Sequence, residues 1–182
     1  MRIGVIGGGA WGTALAQVAA RGGSEEVLLW AREAQVVESV NLRHRNDLFL
    51  PQVPLSPSIR ATRELGDLAD MQALLVVAPA QHVRAVLSET PVGDTPLVLC
   101  AKGIEAGTKL LVGEVAHQVA PRAPLAVLSG PTFAHEVAAG KPTAVTLACE
   151  DEGLRTRLAE RLAGPAFRTY GSGDLVGAEI GG

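Results

Sequence analysis

Aromatic side chains are scarce in this sequence, with one tyrosine, two tryptophans and three phenylalanines in 182 residues. A core must therefore come from the alanine, valine and leucine in which the chain is rich, and the disordered and collagenous classes do not fit a composition that is 47% hydrophobic. Cysteine is nearly absent. Cys100 and Cys149 each fall in an apolar strand-like run, which reads as two buried reduced thiols rather than a bridge. No run approaches the roughly 20 apolar residues of a spanning helix. The start, Met1-Arg2-Ile3-Gly4-Val5, enters a strand pattern with no signal-peptide layout, so the expected location is cytoplasmic with no membrane partner. A basic excess is also lacking. Sixteen Lys and Arg against nineteen Asp and Glu give a net charge of -3, which excludes a general attraction to nucleic acid. His44, His82, His117 and His135 have no metal-ligand spacing and read as surface or packing residues. There is no G-x-S-x-G elbow and no Walker lysine-serine pair, so hydrolase and nucleotide-kinase readings lack their parts.

What is present is alternation. Short apolar runs recur at Ile3–Ile6, Val27–Trp30, Ala73–Ala78, Leu97–Cys100, Leu125–Leu128 and Ala144–Ala148, most of them separated by segments of helical period. This predicts an α/β fold, a doubly wound and mostly parallel sheet of Rossmann-like type. Helices are expected around Ala14–Ala19 (closed by Gly22-Gly23), Val36–Val40, Val83–Leu87, Leu110–Val119 and Leu154–Leu162. The proline-punctuated stretch Leu50–Pro57 reads as a surface loop. Ligands of doubly wound sheets lie beyond the carboxyl ends of the strands, which directs attention to the residues that follow each strand.

After the first strand comes Gly7-Gly8-Gly9-Ala10-Trp11-Gly12, with the spacing G-x-G-x-x-G, opening directly into a helix. In that context the pattern predicts a dinucleotide site. Gly7 would permit the tight turn, Gly9 would let backbone approach a pyrophosphate, and Gly12 would let helix and strand pack closely. Trp11 is placed beside the cofactor by its position in the turn, although packing alone would also explain it. At the end of the second strand, where an acidic residue commonly serves the ribose hydroxyls of NAD, stands Arg32. An arginine suits a 2′-phosphate, which favours NADPH. Glu33 follows and can serve the hydroxyl instead, so NADP and NAD both stay open.

Later strand ends supply the rest. The Leu97–Cys100 run ends in Ala101-Lys102-Gly103, which puts one of three lysines in the chain at the crevice mouth. The Leu125–Leu128 run ends in Ser129-Gly130-Pro131-Thr132, whose backbone and hydroxyl could donate to an anion. Two such turns on one crevice favour a small phosphorylated substrate over a neutral one.

The segments Gly7–Ala14 (GGGAWGTA), Leu29–Arg32, Leu48–Pro51, Cys100–Glu105 (CAKGIE), Leu128–Val137 (LSGPTFAHEV) and Asp174–Gly182 (DLVGAEIGG) together resemble bacterial NAD(P)-dependent glycerol-3-phosphate dehydrogenase. The resemblance runs over the whole chain and marks 1–182 as an NAD(P)-binding N-terminal domain. It implies a reversible hydride transfer between dihydroxyacetone phosphate and sn-glycerol 3-phosphate, for phospholipid synthesis. By the same resemblance Ala10, Trp11, Arg32, Phe49, Lys102 and Ala134 line the cofactor, and Lys102, Gly130 and Thr132 contact the substrate. It further implies a helical second domain, with the proton-transferring lysine, beyond Gly182. That domain is expected to contribute to subunit contacts, and a homodimer is the oligomeric expectation. A stand-alone dinucleotide-binding or redox-sensing module is the alternative from another class.

Overall fold

The computed structural model describes residues 1–181; Gly182, the last residue of the expected domain, lies outside the described residues. Eight strands form one sheet: β1 (Arg2–Ile6), β2 (Glu26–Trp30), β3 (Ile59–Thr62), β4 (Ala73–Val76), β5 (Leu97–Leu99), β6 (Leu125–Ser129), β7 (Thr143–Ala148) and β8 (Phe167–Ser172). Their spatial order is β3-β2-β1-β4-β5-β6-β7-β8, with every neighbouring pair parallel except β6 and β7. The six expected strands are all present. Cys100 and Cys149 each lie one residue beyond a strand rather than inside it, and both are buried free thiols.

Helices cover both faces, which is why the inner strands read as unbroken apolar runs instead of alternating ones. On one face α1 (Ala10–Arg21), α2 (Ala34–Arg43), α5 (Ala134–Ala138) and α6 (Glu152–Leu162) bury Leu15, Val18, Val36, Val40, Val137, Leu154 and Leu158 against the sheet. On the other, α3 (Ala80–Glu89), α4 (Val112–Val119) and α7 (Leu175–Gly181) bring Val83, Leu87, Val112 and Val115 into a second core. α1 packs on β1, β2, α5 and α6 at once, so it is buried from Gly12 through Ala19. Small side chains make that close approach possible.

Two strands escape the apolar pattern. β3 alternates buried Ile59 and Ala61 with exposed Arg60, and β8 carries exposed Arg168 and Tyr170, as edge strands do. The Leu50–Pro57 stretch is a loop, yet Leu50, Val53 and Leu55 are buried in the core. It is a covering loop, not one lying loose on the surface.

The strand order reverses between β1 and β4. The chain leaves β1 for β2 and β3 on one side and then crosses back to β4 on the other. Helices therefore depart to opposite faces at this point, and a crevice opens over the strand ends.

Candidate functional site

The glycine turn sits at this crevice. The Gly7 amide donates to the Trp30 carbonyl at 3.1 Å, so the β1–β2 ladder runs one step past the strand before the chain turns. Gly7 has φ +130, and a Cβ there would lie 3.1 Å from the Val77 carbonyl carbon. A Cβ on Gly12 would overlap the Gly7 carbonyl oxygen, so α1 comes as close to β1 as its backbone allows. Gly9 differs. Among the described residues a Cβ there would meet no atom within 4 Å, although Gly9 lines the crevice. Protein packing thus requires Gly7 and Gly12 to be glycine but leaves the space over Gly9 open. Gly9 is also the N-cap of α1, whose first turn has neither a capping side chain nor an acidic residue. The first-turn amides are left for an anion, at the positive end of the helix dipole.

The crevice has a volume of about 690 Å³ and is lined by Gly7 through Gly12, Trp30, Arg32, Glu33, Phe49, Leu65, Val77, Ala78, Pro79, His82 and neighbouring α3 residues. Seven of the residues singled out in the sequence thus meet on one cavity: Gly7, Gly9, Ala10, Trp11, Gly12, Arg32 and Phe49. The Arg32 side chain is 81% exposed, with its Nε 3.8 Å from Glu33. His82, taken from sequence as a surface or packing residue, is exposed and stands on the cavity wall.

A second cavity of about 200 Å³ is lined by Trp11, Cys100, Lys102, Leu128, Ser129, Gly130 and Thr132. Trp11 is common to both. The two turns beyond β5 and β6 therefore converge as expected, and Lys102, Gly130 and Thr132 come together. Ala134 lines neither cavity; it opens α5 and packs against the core. α5 is only five residues long, so Gly130 and Thr132 themselves matter more than a helix dipole. Burial pushes the Cys100 thiol well above the ordinary thiol range. It stays protonated in the cavity wall and is no nucleophile. Ser129, 6% exposed, has a hydroxyl with no hydrogen-bond partner among the described residues.

The Lys102 turn is held from α3. Gln81 donates to the Ile104 carbonyl at 2.7 Å and accepts from the Ala106 amide at 2.9 Å. Arg84 grips Glu105 through two bonds of 2.9 Å, and holds its carboxyl below the usual carboxylate range. Gly103, at φ +130, makes the sharp bend between Lys102 and this anchor.

Sequence reasoning missed Asn46. Its side chain is fully buried, and its Nδ2 donates at 2.8 Å to both the Gly8 carbonyl and Thr13 Oγ1. Its Oδ1 accepts from the Phe49 amide at 3.1 Å. One amide thus ties the glycine turn to the loop that carries Phe49. Asn46→Ala would strand these buried groups, and the expected loss is about 3 kcal/mol of stability, measured by urea unfolding. No helix among the described residues is long and apolar enough to cross a membrane.

This geometry is matched by relatives. Residues 2–155 match the family described as NAD-dependent glycerol-3-phosphate dehydrogenase N-terminus. Glycerol-3-phosphate dehydrogenase (NAD(P)+) 1 of Sphingopyxis alaskensis is 59% identical over 179 residues, covering 98% of this chain and 54% of that protein. Glycerol-3-phosphate dehydrogenase (NAD(P)+) of Caulobacter vibrioides is 54% identical over 184 residues, covering all of this chain and 55% of the relative. A crystal structure of glycerol-3-phosphate dehydrogenase from Coxiella burnetii superposes with a TM-score of 0.89 at 35% identity, covering 98% of this chain and 55% of that one. The chain spans about half the length of these relatives. It belongs to the family of NAD-dependent glycerol-3-phosphate dehydrogenase N-terminal domains.

Proposed function

We propose that residues 1–182 form the NAD(P)-binding domain of an oxidoreductase that interconverts dihydroxyacetone phosphate and sn-glycerol 3-phosphate for phospholipid synthesis. The observation that carries this reading is the pair of cavities meeting at Trp11, one over the glycine turn and one beside Lys102. A dinucleotide laid along the large cavity would place its pyrophosphate over Gly9 and its adenosine toward Arg32 and Glu33. When bound, the reduced nicotinamide supplies the hydride. Gly7, Gly9, Ala10, Trp11, Gly12, Arg32 and Phe49 hold the cofactor in this reading, with Lys102 and Ala134 toward its nicotinamide end.

Lys102, Gly130 and Thr132 take the phosphorylated substrate. A lysine ammonium is a compact positive charge, suited to a phosphate or to the oxygen that becomes negative as hydride arrives. It stabilises that charge without having to deliver the proton, which the resemblance assigns to a lysine beyond Gly182. Arg32 tilts the cofactor choice toward NADPH, and NADH remains a substrate.

The test uses the two tryptophans of the chain, Trp11 and Trp30, both of which line the large cavity. Titrating the 182-residue protein with NADPH and with NADH should quench their fluorescence saturably, and more tightly with NADPH. Quenching by neither would overturn the reading.

A further inference from the structure

We infer that Arg63 is a second specificity-determining residue for the cofactor, forming with Arg32 a two-guanidinium grip on a phosphate at the ribose 2′ position. The inference rests on the dinucleotide reading above. Arg63 falls outside every sequence signal, because it follows the short edge strand β3. Register is what brings it to the site. Trp30 pairs with Thr62, and the Ala31 amide donates to the Thr62 carbonyl at 3.0 Å, so β2 and β3 end level with each other. Arg32, on the crevice wall, and Arg63, just outside the lining residues, thus lie on adjacent strand extensions.

Arg63 is fastened there at two points. Its carbonyl accepts from the Trp30 indole Nε1 at 2.9 Å, and its own Nε donates to the Arg32 carbonyl at 3.3 Å. Its Nη groups have no hydrogen-bond or ion-pair partner among the described residues. The local charges leave room for an anion. Glu33 is 3.8 Å from Arg32, while the Asp67 carboxylate accepts from the Thr62 hydroxyl. Glu64 is exposed at the start of the following 3-10 turn. The Arg63 guanidinium bonds the backbone carbonyl of Arg32, whose own exposed guanidinium has only Glu33 nearby, so two cations borne on adjacent strand ends are relieved by a doubly charged phosphate monoester and not by a hydroxyl. Planar guanidinium forks also match phosphate oxygens geometrically. Glu33 alone can serve a free 2′-hydroxyl, so the same strand end would accept NAD more weakly.

The experiment is a titration of the 182-residue protein, wild type and Arg63→Ala, with NADPH, NADH, 2′-AMP and 5′-AMP. Wild type should favour NADPH over NADH and 2′-AMP over 5′-AMP. Arg63→Ala should lose about tenfold in affinity for NADPH and 2′-AMP, the scale of one charge-assisted hydrogen-bonded contact, and stay within about twofold for the other two ligands. Arg63→Lys keeps the charge without the fork and should recover part of the loss. Raising salt should narrow the wild-type preference, because both arginines face water. Equal losses for NADPH and NADH, no loss for either, or a wild type indifferent to the 2′-phosphate would overturn the assignment while leaving a dinucleotide site in place. A wild type that binds neither dinucleotide overturns it together with the cofactor reading. A circular-dichroism melt unchanged in Arg63→Ala separates recognition from folding.

Discussion

Gly9→Ala should leave the fold intact and cost at least about tenfold in dinucleotide affinity, while Gly12→Ala should damage the fold itself. The two positions are three residues apart in one turn, and the difference is steric. Gly9 has φ -69 and ψ -177, extended backbone open to any L residue. Its Cβ would meet no atom of the described residues within 4 Å. Alanine is a poorer N-cap than glycine but loses less chain entropy on folding, and these effects of a few tenths of a kcal/mol offset each other. The melting temperature should stay within about 2 °C. The new methyl would instead occupy the surface that the pyrophosphate is expected to touch. Gly12→Ala drives a methyl into the Gly7 carbonyl oxygen, which is backbone fixed by the β1–β2 ladder and cannot swing aside. α1 must then lift from the sheet, at about 2–3 kcal/mol or roughly 5–10 °C. Thermal melts and fluorescence titration of both variants decide the matter. A Gly9→Ala chain that binds NADPH like wild type would mean that no pyrophosphate lies on this turn.

That contrast also shows how far the sequence is readable. G-x-G-x-x-G is a local signal with fixed offsets, so Gly7, Gly9 and Gly12 could be assigned roles before any coordinates. Lys102, Gly130 and Thr132 were legible for a related reason, since they directly follow apolar strands that announce themselves. The missed residues depend on partners far away in the chain. Asn46 looks like an ordinary loop asparagine until Gly8, 38 residues earlier, is seen to accept its amide. Arg63 gains meaning only through the pairing of β2 with β3. β3 and β8 were obscured because edge strands need only one buried face and carry polar residues on the other. Leu50, Val53 and Leu55 show the same limit in a loop, where prolines mark the absence of regular structure but say nothing about burial.

The second large effect is expected at Lys102. In an enzyme joining this chain to the remaining half that its relatives carry, Lys102→Ala should lower kcat/KM for dihydroxyacetone phosphate by about 10²–10³-fold, as loss of a preorganised charge partner does elsewhere. Lys102 lines the small cavity with Gly130 and Thr132 and does not line the large one, so NADPH quenching of Trp11 and Trp30 should change by no more than about threefold. This split between turnover and cofactor affinity distinguishes a role at the substrate from a general collapse of the crevice. Collapse is also opposed by the anchoring of the turn, because Gln81 and Arg84 hold its Ile104, Glu105 and Ala106 from α3 without using the lysine side chain. Lys102→Arg keeps a positive charge but replaces a compact ammonium with a wider fork, and should recover only part of the rate. An unchanged rate in Lys102→Ala would refute the assignment. A loss confined to NADPH affinity would leave Lys102 its contact with the nicotinamide end alone, with Gly130 and Thr132 holding the phosphate.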